Sequence, residues 1–114
     1  VADRPNVLVV CGRNKRRSRT AEYIFKNDRR FNIKSLGLSA KSERQIKEKD
    51  VLWADLILVM EDGHKTRIAA DYRSIEIPPI EVLQIEDEYE YQNQELIELL
   101  TDKINASVNV TFQL

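Results

Sequence analysis

The chain has 114 residues, 42% of them hydrophobic and 32% charged, with three Gly and three Pro, which describes one folded domain over 1–114 and excludes disorder and low complexity. A formal net charge of -1 hides an asymmetry: residues 1–50 carry 14 Lys/Arg against 6 Asp/Glu, and residues 51–114 carry 4 against 13. One cysteine and one histidine leave neither an internal disulfide nor a zinc-ligand cluster, so no metal or other cofactor is expected. No apolar run approaches a membrane span and the first residues lack the long apolar stretch of a signal peptide, so a cytoplasmic protein without a membrane partner is expected.

In chain order, Val7 to Val10 is a short apolar, mostly β-branched run that reads as a strand buried on both faces, ending at Cys11-Gly12. Ala21, Ile24 and Phe25 recur at helical spacing after Ser18, which is placed as N-cap, with Glu22 suited to the positive end of the helix. "FNIKSLGLS" predicts a second strand, Ser42 to Asp50 a short polar helix, and "ADLILVM", Ala54 to Met60, the clearest buried strand. A helix over Gly63 to Tyr72, a Pro78-Pro79 break and a strand over Glu81 to Ile85 follow, then the acidic stretch "EDEYEY". Leu96, Ile97, Leu99, Leu100 and Ile104 mark an amphipathic last helix. In the tail, Val108, Val110 and Phe112 alternate, a pattern of an added edge strand or of a loose end.

The order βαβαβαβα implies an α/β fold, a three-layer αβα sandwich on a central four-stranded parallel sheet, with its ligand site beyond the carboxyl ends of the strands. Cys11 stands at such an end. Five Lys/Arg fall within the next eight positions, and the stretch reads C-x5-R-S at a strand-to-helix junction. Such a junction aims unpaired backbone N–H groups and the helix dipole at one spot, the chemistry of an oxyanion cradle. Gly12, Arg13, Asn14, Lys15, Arg16, Arg17 and Ser18 are therefore expected to surround inorganic phosphate, sulfate or a phosphoryl group. The same field favours the thiolate of Cys11, the nucleophilic form, and Arg17 is suited to grip two phosphoryl oxygens. Taken alone, Cys11 is as well a small buried hydrophobe and "RNKRRSR" a solvated basic loop; their conjunction favours the chemistry.

Phosphoryl transfer through a cysteine needs a proton donor and then a base, and "IEDEYEY" brings carboxylates to the same sheet edge. Asp87 is the first candidate, with Glu86 and Glu88 as alternatives. Tyr89 and Tyr91 are placed as walls of a substrate pocket, or as tyrosines packed under the loop. Trp53 reads as a core contact and His64 as an exposed helix residue; neither is given a catalytic role.

"VLVVCGRNKRRSRTAE", "ERQIKEKDVLWADLILVMED" and "IEDEY" together resemble the low-molecular-weight protein tyrosine phosphatase family in its short bacterial form. The resemblance implies that Cys11 is the nucleophile, Arg17 the phosphate clamp, Ser18 a stabiliser of the thiolate, Asn14 a residue shaping the loop and Asp87 the general acid. It implies a phosphatase acting on phosphotyrosine, in a phosphorylated protein or as a small aryl phosphate, through a phosphocysteine. This sequence departs from the family pattern at Gly12-Arg13, Lys15-Arg16, Arg19 and Glu88, and is shorter before "ERQI", which implies a shallower and more basic site. Two other functions fit the same residues: a catalytically weak phosphate-binding regulatory module, and a nucleic-acid or nucleotide-binding protein using the basic loop. The lack of a stacking aromatic near that loop counts against nucleic acid.

Overall fold

The apolar run at the N-terminal end becomes the second of four parallel strands in the computed structural model, which describes residues 4–13 and 16–114. The elements are β1 (Asn6–Cys11), α1 (Arg17–Phe25), β2 (Asn32–Gly37), α2 (Glu48–Trp53), β3 (Leu56–Val59), α3 (Asp62–Asp71), β4 (Ile80–Val82) and α4 (Gln94–Phe112). Their spatial order is β2-β1-β3-β4, with Val7 beside Ile33 on one side and Leu56 on the other.

Strand geometry divides the apolar residues between two faces. Val7, Val9, Leu56 and Leu58 pack with Ala21 and Phe25 of α1 and with Leu96, Leu100, Ile104 and Val108 of α4. Leu8, Val10, Ile57 and Val59 pack with Val51 of α2 and Ile68 of α3. Both faces of β1 and β3 are thus covered, which is why these strands read as unbroken apolar runs and why the architecture is a three-layer αβα sandwich. Trp53 lies partly buried against the second core, with the Lys34 ammonium 4.5 Å from its ring centroid. No helix among the described residues is long and apolar enough to cross a membrane.

Four expectations are corrected by the fold. The tail is neither strand nor loose: α4 runs to Phe112, because Leu96, Leu100, Ile104, Val108 and Phe112 continue one face at intervals of four. The alternating Val110 is left 76% exposed. The polar helix expected from Ser42 begins at Glu48, because the preceding segment is tied to the end of β2: Gly37 N–H donates to Arg44 O (2.8 Å) and Ile46 N–H to Gly37 O (2.9 Å). Ser18 lies inside α1 rather than capping it, since the helix starts at Arg17. Glu22 leaves the helix terminus alone and accepts from Ser35 N–H (2.8 Å) and from Arg44 (3.2 Å), joining α1 to β2.

Candidate active site

The sheet brings the ends of β1, β3 and β4 to one edge, where the loops after β1 and β4 and the start of α1 line a cavity of about 260 Å³. It is lined by Cys11, Gly12, Arg13, Arg16, Arg17 and Asp87. Asn14 and Lys15, expected in the same loop, lie outside the described residues. The first limb of the loop is held by the segment after β2: Leu38 N–H donates to Cys11 O (3.0 Å) and Ser39 N–H to Gly12 O (2.8 Å).

Cys11, the last residue of β1, is buried, and its Sγ lies 2.9 Å from Oγ of Ser18 in the first turn of α1, itself fully buried. A thiolate can only accept, so in that state the serine hydroxyl is the donor and holds the sulfur at the helix N-terminus. Arg17 is only 4% exposed, unusual for a residue on a surface helix, and its surroundings show why. Its Nη1 donates to Oε2 of Glu61 (2.6 Å) and to the carbonyl of Ile85 (2.7 Å), so the guanidinium is fixed by the loops after β3 and β4. Its Nε is buried, makes no hydrogen bond among the described residues and lies 3.8 Å from Oδ1 of Asp87. A buried guanidinium N–H left over in this way is a donor for an anion entering the cavity.

Of the three acidic candidates, Asp87 lines the cavity that holds Cys11, whereas Glu86 borders a neighbouring one with Met60, Glu61 and Ile85. The acidic loop is tied back to α1 through Thr20, whose hydroxyl donates to Arg16 O (2.7 Å) and accepts from Gln92 N–H (3.0 Å). Tyr89 packs against the core and Tyr91 meets Tyr23 edge-on at 6.5 Å, with Arg19 over its ring; neither is among the residues lining the cavity.

No family model and no curated protein matches the chain. Solved structures do match along nearly its whole length. The low molecular weight protein tyrosine phosphatase SP-PTP from Streptococcus pyogenes aligns with TM-score 0.77 at 18% identity, over 93% of this chain and 92% of that one. The arginine phosphatase YwlE from Geobacillus stearothermophilus aligns with TM-score 0.69 at 20% identity, over 93% and 94%. The tyrosine phosphatase Wzb from Escherichia coli K30, in complex with phosphate, aligns with TM-score 0.69 at 19% identity, over 92% and 96%. The fold is that of the low-molecular-weight phosphatases.

Within this phosphatase fold, two residues at the site were not anticipated from sequence. Glu61, one position past Met60, ion-pairs with Arg17, and that contact holds its carboxyl below the usual carboxylate range against the opposing effect of burial. His64 is not the exposed helix residue expected. Its side chain is 15% exposed, with Nε2 3.9 Å from Glu61 and a buried Nδ1 that makes no hydrogen bond among the described residues. Burial, and then the charge of Arg17, push its imidazole down from the ordinary value, although Glu61 and Asp87 pull the other way. His64 is therefore neutral at neutral pH. The signal available for both was positional: they follow the clearest strand of the sequence, at the edge where the low-molecular-weight phosphatase fold assembles its loops.

Proposed function

We propose that the chain is a cysteine-dependent phosphatase that hydrolyses phosphomonoesters, phosphotyrosine or related aryl phosphates among them, through a phosphocysteine intermediate. The observation that carries this reading is the meeting, at one cavity, of a cysteine sulfur held by Ser18, a buried guanidinium with a spare Nε–H, and Asp87. The Cys11 thiolate attacks phosphorus; the S–P bond forms as the bond to the ester oxygen breaks, and Asp87 delivers a proton to that oxygen. Water then attacks the phosphocysteine, Asp87 takes its proton, and the S–P bond breaks to release phosphate and the thiolate. Arg17 and the start of α1 oppose the charge on the phosphoryl oxygens in both steps. Each step uses side chains of this chain.

The test is hydrolysis of p-nitrophenyl phosphate and phenyl phosphate, with chelator present, by the wild type, Cys11→Ser and Asp87→Ala. Cys11→Ser is expected to fall to background on both. Asp87→Ala is expected to lose on the order of 100-fold on phenyl phosphate and far less on the nitrophenyl ester, whose leaving group needs no proton. A wild type no faster than Cys11→Ser sinks the enzyme reading and leaves a phosphate-binding module in its place.

A further inference from the structure

The cavity wall carries more positive charge than a single phosphoryl group requires. Arg17 is committed to Glu61, Ile85 and the phosphate position, yet Arg13 and Arg16 line the same cavity. Arg13 is exposed and forms no ion pair among the described residues. Arg16 has one ion-pair partner among the described residues, Glu90 at 3.8 Å, a carboxylate 83% exposed, and such a solvated pair is weak. Arg19, by contrast, is held by Glu43 at 3.0 Å and is not a cavity residue. Among the described residues the wall also lacks what an aryl ester would use: none of Cys11, Gly12, Arg13, Arg16, Arg17 and Asp87 is aromatic.

Resting on the phosphatase reading above, we propose that the preferred substrate is a phosphomonoester carrying a second anionic group, a carboxylate or another phosphate, which Arg13 and Arg16 take while Arg17 takes the phosphoryl group. An anion there displaces Glu90 from Arg16 and gives Arg13 its partner. A neutral aryl ester meets the same two guanidinium groups with nothing to offer them.

The probes are 3-carboxybenzylphosphonate and its neutral isostere 3-carbamoylbenzylphosphonate, titrated calorimetrically into the wild-type protein, Arg13→Gln/Arg16→Gln and Arg19→Gln. The wild type is expected to bind the carboxylate roughly fivefold tighter, with the advantage shrinking as salt rises. The double variant is expected to lose the preference and Arg19→Gln to retain it, because a contact is being removed in one and only overall charge in the other. Equal affinities in the wild type, failure to bind either probe, or a preference that survives in the double variant or disappears equally in Arg19→Gln overturns the proposal. Turnover of the matching phenyl phosphates separates it from the parent reading. Cys11-dependent hydrolysis of both at equal kcat/KM, with equal binding, refutes the second-anion site alone; a binding preference without Cys11-dependent hydrolysis refutes the phosphatase alone.

Discussion

Arg17 is the residue on which the site converges, and a lysine cannot replace it. One ammonium cannot reach Glu61, the Ile85 carbonyl and, in the proposed reaction, a phosphoryl oxygen in the fixed planar arrangement of a guanidinium. Arg17→Lys is expected to lower kcat/KM on an aryl phosphate by about 100-fold or more while circular dichroism shows the fold retained. Glu61→Gln keeps an acceptor for Nη1 but removes the charge. With its native carboxyl held below 4.5, Glu61 contributes stability that is complete above that value and is lost as pH falls through the lowered one. Melting curves of Glu61→Gln should therefore lack that part of the wild type's acid-side decline, and kcat should drop about tenfold as Arg17 loosens. The meeting of Cys11, Arg17 and Ser18 was legible because they fall within eight consecutive positions that join a strand end to a helix start. Glu61 was not, because its partner is 44 positions away and a lone glutamate after a strand has no local pattern. His64 was hidden for a related reason: "EDGHK" is polar and mostly charged, so the sequence around it looks solvated, whereas its side chain is largely buried beside Glu61.

At the scale of elements, Thr20 shows how α1 controls the acidic loop. Its two hydrogen bonds link the start of the helix to Gln92, just beyond Asp87 and Glu90. Thr20→Val removes both with little change in shape. A stability loss of about 1 kcal/mol is expected, together with a fall in kcat on phenyl phosphate, whose leaving group needs the proton assigned to Asp87 in the proposed reaction, that exceeds the fall on the nitrophenyl ester. In α4 the faces are unequal: Leu100→Ala should cost about 2–5 kcal/mol by thermal unfolding, whereas Val110→Ala should stay within about 0.5 kcal/mol. The same contrast explains why the end of α4 was hard to read. Alternation over five residues is compatible with a strand, and only the longer series from Leu96 reveals the helical face. The central strands were legible because burial on both faces leaves an uninterrupted apolar run, a signal that needs no knowledge of the partner.

Over the whole molecule, the basic first half and the acidic second half meet at the site. Arg16 pairs with Glu90, and Arg17 with Glu61 and Asp87, so part of the charge asymmetry in the sequence is resolved by the sheet order β2-β1-β3-β4. His64 adds a pH dependence to the fold. Its native imidazole binds its proton less readily than in the unfolded chain, so its contribution is complete above the ordinary value of 6.5 and declines as pH falls from there through the lowered native value. Melting temperatures of wild type and His64→Gln measured from pH 8 to 5 should show the steeper fall in the wild type. The hydrogen bond from Arg17 to Ile85 spans 68 positions and exists only when strands from both ends of the chain have docked. An anion that needs that arrangement binds the complete fold and nothing less. By mass action it should then slow amide hydrogen exchange at Leu100 and Ile104, inside α4, by the same factor as at any other amide that opens only through global unfolding.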